Sequence, residues 1–269
     1  MTKLKLYTCV TPEMDYVGLN QYISEWERLG YIERIHIPML RDHRYISWVG
    51  RVGGLALEPS EVRSISTPYE YVLSCQYRSS YSNMPTVLPW NFYVRNLKAF
   101  NLVKSELNNI PKTHRSIYSG TIRGNTHERN RWINSTEIFS YRRAAGYNRT
   151  NRKYPTIEDY YRALAATRYG LCPVGDCSKC QREVETMGLG CVPVYTTGVE
   201  WTSIVDPIEN RHFIYADSPK EMNDKIDTIP ETTRQDMAKE GIEYFDNYCS
   251  PQGLWNSVLI TIDKYNIKV

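Results

Sequence analysis

The sequence predicts an α/β protein of two modest domains built on open, largely parallel sheets flanked by helices. Three observations carry that reading. Apolar runs short enough for buried strands alternate with stretches of helical period. Several helices open on capping residues at the correct spacing. The 269 residues, 41% of them hydrophobic, exceed a typical single domain and can fill two cores.

Taken in order, Lys3 to Val10 reads as a first strand and Val17 to Leu29 as a helix with Leu19, Tyr22, Ile23 and Trp26 on its apolar face. Ile32 to Ile37 follows as a second strand, which makes a βαβ start. Tyr69 to Cys75 reads as another strand and Phe92 to Leu107 as a helix, with a loop-like segment rich in Tyr, Ser, Pro and Arg between them. A linker is expected around Asn108 to Thr113. Beyond it, Arg115 to Gly120 is a short strand, and Thr156 with Asp159 forms a capping box that opens a helix to about Arg168, ending at Gly170. Phe213 to Ala216 is a further strand. Ser218-Pro-Lys-Glu221 opens a helix with proline in its first position, Pro230 to Tyr248 is a longer helix, and a last helix spans about Pro251 to Tyr265. The domains are therefore set at residues 1–110, 111–250 and a closing helix at 251–269.

The most telling stretch runs from Tyr169 to Tyr195. Gly170 to Val174 suits a buried strand that Pro173 brings to its end. Gly175 and Asp176 supply turn chemistry, and Ser178 with Gln181 has the form of a second capping box, so a helix starts near Lys179. Cys180, Val184 and Met187 make its buried stripe and Arg182 and Glu185 its polar flank. Gly188 and Gly190 end it, and Cys191 to Tyr195 is the next parallel strand. Ligands of such sheets bind at the carboxyl ends of the strands, where a helix N-terminus and a glycine turn let a diphosphate approach the backbone. Glu185 would then accept hydrogen bonds from sugar hydroxyls. The plain alternative is that Arg182 and Glu185 form a surface ion pair.

The ordered segments Tyr169-Gly-Leu-Cys-Pro-Val-Gly175, Arg182-Glu-Val-Glu185 and Gly190-Cys-Val-Pro-Val194 resemble the donor-binding signature of exostosin-like glycosyltransferases. That family has a strand ending in Pro-x-Gly, an Arg-x-x-Glu helix and a Gly-Cys-x-Pro-Val strand; Thr186 stands where it usually has alanine. Arg115-Ser-Ile-Tyr-Ser-Gly120, followed by Arg123, Arg129 and Arg131, is similar to the family's Phe-x-Gly element with its arginine, with Tyr118 in place of Phe. A solvated basic helix over Arg123 to Arg131 is the alternative there. The resemblance spans roughly residues 112–200 and points to the compact, unanchored form of the family met in bacteria and large algal viruses.

It implies the GT-B fold: two Rossmann-like domains facing across a cleft, with the C-terminal helix packing back on the N-domain. It implies an inverting hexosyl- or pentosyltransferase that moves a sugar from a nucleotide diphosphate sugar, with uridine as the expected base, to an oligosaccharide or glycoprotein hydroxyl. The donor side would be Gly120, Arg123, Gly175, Asp176, Cys177, Ser178, Arg182 and Glu185. Asp15 and Glu13, in the loop after the first strand, are candidates for the catalytic base, with Asp42 and His43 behind them. Tyr77, Tyr81 or Trp90 could stack on the acceptor. No Asp-x-Asp metal site occurs, and the activity is expected to need neither metal nor cofactor.

Other features are weighed against this frame. Cys172, Cys177, Cys180 and Cys191 fall close together, but no second knuckle follows Cys177-x-x-Cys180, so packed, reduced thiols are expected instead of zinc. The odd count of seven cysteines and a start that runs directly into a strand pattern suggest a cytoplasmic protein, in which the sequons at Asn134 and Asn148 go unused. No run reaches the roughly 18 apolar residues of a membrane span. A net charge of +3 is too small to argue for nucleic acid overall. Residues 112–153 are nonetheless rich in Lys and Arg interleaved with Tyr118, Trp132, Tyr141 and Tyr147, so a single-stranded nucleic-acid binder is one alternative. A nucleotide-sugar hydrolase or epimerase of the same fold is the other.

Overall fold

A computed structural model describes residues 3–8, 18–36, 50–52, 55–58, 71–74, 87–121, 132, 141–145, 156–174, 181–199, 201 and 203–266. The chain divides into two compact units. The first is Met1–Leu97 with Thr202–Asp206 and Asn247–Val269, and the second is Lys98–Trp201 with Pro207–Asp246.

In the first unit, strand β1 (Leu4–Thr8), helix α1 (Leu19–Arg28) and strand β2 (Ile32–His36) form the βαβ start, with β1 and β2 parallel in the register Leu4↔Ile32. Helix α1 buries Leu19, Tyr22, Ile23 and Trp26, the stripe its 3.6-residue spacing foretells, and Asn20 with them. Its entry is tight: a Cβ on Gly18 would lie 2.2 Å from the Val94 carbonyl oxygen, and Gly18 has φ 82°, so glycine is required twice over.

The sheet continues through β3 (Gly50–Val52), β4 (Leu55–Glu58), β5 (Tyr71–Ser74) and β6 (Val87–Pro89) in the order β2-β1-β3-β4-β5-β6. Strand β3 runs antiparallel to both β1 and β4, while β4 is parallel to β5 and β5 to β6. The sheet is thus mixed. The β3 and β4 pair was not foreseen, and β6 lies in the segment expected to be loop.

The expected helix from Phe92 is shorter than predicted: helix α2 spans Leu97–Ser105, followed by a single 3₁₀ turn at Leu107–Asn109. Trp90, Phe92, Tyr93 and Val94 are all buried, which one helical stripe cannot achieve, and the Val94 N–H bonds the Tyr22 hydroxyl at 3.2 Å. They pass instead as irregular chain under α1. The unit division falls at Leu97, ahead of the 108–113 segment, because Phe100 of α2 packs on Tyr161 and Phe245 in the second unit (ring centroids 5.4 and 4.8 Å).

The second unit carries β7 (His114–Thr121), β8 (Tyr141–Ala145), α3 (Ile157–Ala165), β9 (Thr167–Cys172), α4 (Gln181–Gly188), β10 (Val192–Tyr195), β11 (Ile214–Tyr215), α5 (Pro219–Thr228) and α6 (Glu231–Tyr248). Its strands lie in the order β11-β10-β9-β7-β8, all parallel. Its core includes Tyr118, Leu171, Val192, Val194, Ile214 and Met222. The capping box of α3 is formed: Asp159 N–H donates to Thr156 Oγ1 at 3.1 Å and Thr156 N–H to Asp159 Oδ2 at 3.0 Å. The helix stops three residues before Arg168. The His114 N–H takes the Ala166 carbonyl at 3.1 Å, and Thr167 pairs with His114, so sheet pairing claims the residues assigned to the helix.

The last helix, α7 (Pro251–Lys264), belongs to the first unit and packs on α1. Tyr22 donates its hydroxyl to the Cys249 carbonyl at 2.9 Å, Trp26 Nε1 donates to the Pro251 carbonyl at 2.7 Å, and the Trp26 and Trp255 rings lie 5.6 Å apart. Ser250 caps α7 by accepting the Gly253 N–H at 3.0 Å. Among the described residues, no helix is long and apolar enough to cross a membrane.

Candidate functional site

In chain order the second sheet reads 2-1-3-4-5: β7 lies between β8 and β9, so the chain leaves β7 toward one edge and later builds toward the other. The reversal sits between β7 and β9. In doubly wound sheets this switch point leaves a crevice outside the carboxyl ends of the two strands, because the connections flanking it depart to opposite faces.

Of the donor-side residues singled out in the sequence, Gly120, Arg182 and Glu185 are described, and Gly120 lies at that point. Gly120 is the penultimate residue of β7, paired with Ala144 of β8. Strand β9 ends at Cys172, and Pro173 and Val174 carry the chain onward. Ile117 is level with Gly170, so Gly120 and Pro173, each three residues further, come to the same end of adjacent strands. The Val174 N–H bonds Thr196 Oγ1 at 3.3 Å, which ties the start of the β9 loop to the carboxyl end of β10. Gly175, Asp176, Cys177 and Ser178 follow directly in sequence; they and Arg123 lie outside the described residues, as do Glu13, Asp15, Asp42, His43, Tyr77 and Tyr81.

Helix α4 departs from the amphipathic expectation. Val184 and Met187 are buried as expected, but so is every residue from Arg182 to Gly188. Arg182 is 8% exposed and Glu185 0%, which removes the reading of a surface ion pair. The Arg182 guanidinium stands 5.4 Å from the centre of the Tyr118 ring, on β7, so α4 brings a cation to the β7 side of the switch point. Glu185 accepts the Tyr161 hydroxyl at 2.9 Å and the Tyr160 hydroxyl at 3.1 Å. These tyrosines, adjacent on α3, were not singled out in the sequence; a paired Tyr-Tyr on the helix before the motif was the available signal. The carboxylate is therefore a fixed, oriented acceptor.

Close packing sets α4 on the sheet. A Cβ at Gly170 would lie 2.6 Å from Thr186 Cγ2 and 3.2 Å from Cys191 Sγ, so glycine lets the helix rest on β9. Thr186 fills the space with its methyl group and donates its hydroxyl to the Arg182 carbonyl at 2.6 Å. Thr197 and Asp217, just past the carboxyl ends of β10 and β11, bond to each other at 2.6 Å and add exposed polar groups to the same edge.

Two other readings are corrected. Trp90 is buried against Trp26, so it cannot stack on an acceptor sugar. Tyr118 and Trp132 of the basic segment are core residues, and Arg115 bonds Asn223 and Asp227 of α5 at 3.0 and 2.5 Å, which takes these three from a nucleic-acid surface. Cys172 and Cys191 are buried and lie in no disulfide, and burial pushes the Cys191 thiol up to about 12. Cys177 and Cys180 lie outside the described residues.

No protein-family model matches the sequence, and no curated protein does. Among solved structures, the chain is similar to a glycosyltransferase from Rickettsia africae (7% identity, 91% of this chain and 88% of that one, TM-score 0.48). It is also similar to the C-terminal domain of a glycosyl transferase group 1 family protein, LpcC, from Francisella tularensis (14% identity, 58% and 93%, TM-score 0.36). A third is the wall teichoic acid polymerase TagF (10% identity, 88% and 70%, TM-score 0.37).

Proposed function

We propose that the chain is a glycosyltransferase of the GT-B kind, which binds a nucleotide diphosphate sugar at the switch point of its second unit and passes the sugar to a glycan hydroxyl. The observation that supports it is the meeting of two separate sequence motifs, Arg115–Gly120 and the described part of the second, Tyr169–Val174, on adjacent parallel strands that end together. Nothing in either segment alone requires that.

In this reading the diphosphate lies against the backbone after β9, from Gly175 to Ser178, with Arg123 and Arg182 balancing its charge. Glu185, whose buried carboxylate two tyrosine hydroxyls hold, is in this reading the acceptor for a sugar hydroxyl. The acceptor oxygen attacks the anomeric carbon, the bond to the diphosphate breaks with inversion, and the nucleoside diphosphate leaves. The acceptor proton passes to a carboxylate base, for which Asp15 and Glu13 are the candidates. Uridine is the expected base, and charge neutralisation by arginines and amides is expected to make added metal unnecessary.

Calorimetric titration with UDP and GDP tests it, beside Glu185→Gln, which keeps the side-chain volume. Binding of one nucleotide, with its UDP-sugar or GDP-sugar weakened by the variant, supports the reading. Failure of both nucleotides to bind the folded protein overturns it.

A further inference from the structure

At the opposite end of the same sheet lies a second concavity. It has a volume of about 380 Å³ and is walled by Leu107, Leu189, Ala238 and Ile242, with Lys112 and Arg234 among its lining residues. Lys112 precedes β7 by two residues and Gly190, also in the lining, precedes β10 by two, so the cavity opens at the amino ends of the strands. Strand β7 alone, eight residues long, separates it from the switch point by roughly 25 Å.

The polar groups there are unbalanced. Lys112 Nζ donates to the Leu189 carbonyl, just past α4, at 3.3 Å, and among the described residues no carboxylate acts on it. Arg234 uses Nε and Nη2 on Glu231, at 2.9 and 2.6 Å, while its buried Nη1 has no hydrogen-bond partner among the described residues. Arg234 is 4% exposed. Lys239 and Glu243, at the rim, stand 3.8 Å apart and offset each other. Burial and the neighbouring Arg234 hold the Lys112 ammonium down to about 8. A cavity with apolar walls, a half-buried ammonium with no carboxylate partner among the described residues and a guanidinium with an unused donor has the make-up of an anion site.

We propose that this cavity is a second ligand site, separate from the switch-point crevice, which takes a small oxyanion on an apolar body, with the oxyanion at Lys112 and Arg234 and the body against Leu107, Leu189 and Ile242. The ligand class is a phosphate monoester or carboxylate of about the size of one ring.

Phenyl phosphate, benzoate and inorganic phosphate are titrated into the full chain by calorimetry, with and without saturating UDP. Phenyl phosphate or benzoate binds more tightly than inorganic phosphate, and UDP does not compete. Lys112→Gln weakens the binding at least about tenfold. Gln235→Glu, at an exposed lining position that gives up one 3.3 Å bond to Glu231, weakens it as well by placing a negative charge at the rim. Lys112 is charged below pH 8 and neutral above, whereas Arg234 keeps its charge and the Cys191 thiol, at about 12, stays protonated, so binding falls as pH rises through 8. The group preferred among the two organic anions names the ligand class. No binding, competition by UDP, or binding unchanged in Gln235→Glu would overturn the proposal.

Discussion

Helices α1 and α4 occupy equivalent places in their units, and they end alike. Each joins two parallel strands, and each closes on a left-handed glycine with the same pair of backbone bonds: Gly30 N–H to Glu27 O and Tyr31 N–H to Trp26 O in one, Gly190 N–H to Met187 O and Cys191 N–H to Thr186 O in the other. The next strand begins two residues after the glycine in both cases. What differs is what covers them. Helix α1 keeps Ser24, Glu27 and Arg28 in water and beds its stripe on the tryptophans of its unit. Helix α4 has no exposed residue from Arg182 onward: β9 lies beneath it, α3 meets Glu185 through two tyrosines, and a Cβ at Gly188 would lie 2.6 Å from Phe100 and 2.7 Å from Phe245. The same joint thus serves one helix that floats on a core and one that is enclosed by it. Polar residues on α4 are internal parts, and substituting them should cost what internal parts cost.

The sharpest test compares one glutamate from each helix. Glu185→Ala removes the acceptor of both Tyr160 and Tyr161 inside the second unit and should destabilise the protein by about 3 kcal/mol. Glu27→Ala removes only a half-exposed partner of Arg34, 3.4 Å away, and should stay within about 0.5 kcal/mol. Urea denaturation of both variants measures the gap. Equal costs would mean that α4 is no more enclosed than α1.

A smaller effect is expected where α4 touches the sheet. Gly170→Ala pushes a methyl group into Thr186 and should cost about 2 kcal/mol. Thr186→Ala clears that space, so the double variant should recover about 1 kcal/mol relative to the sum of the single changes. Strict additivity in a double-mutant cycle would show that the backbone relaxes around the new methyl group and that glycine is not needed for the approach.

The sequence made some of this legible. The stripe of α1 stood out because one face of that helix meets water, and a pattern of 3.6 residues records such a boundary. The ends of α1 and α4 were readable from Gly30 and Gly190, since left-handed backbone selects glycine. The enclosure of α4 was not readable, because a helix with Arg182, Glu183 and Glu185 has the composition of a surface helix, and only Tyr160, Tyr161 and Tyr118, far off in sequence, show where those charges go. The β3 and β4 pair escaped notice for a different reason: strands of three and four residues are too short to display an alternation. At the candidate site, the order of motifs along the chain revealed strand β9 and helix α4, but the adjacency of Gly120 and Pro173 depends on β7 and β9 being neighbours, which no local pattern encodes.

The smallest effect concerns how the first unit holds its helix in place. Trp26→Phe keeps a ring between Trp90 and Trp255 but deletes the Nε1 donor to the Pro251 carbonyl, at the first turn of α7. Because ring packing survives and one hydrogen bond is lost, the cost should be about 1 kcal/mol. Hydrogen exchange should quicken in the first turns of α7, while the amides of α4, in the other unit, keep their protection. If exchange quickens in α4 to the same extent, the two helices share one cooperative unit, and the difference in their surroundings does not divide the stability of the chain.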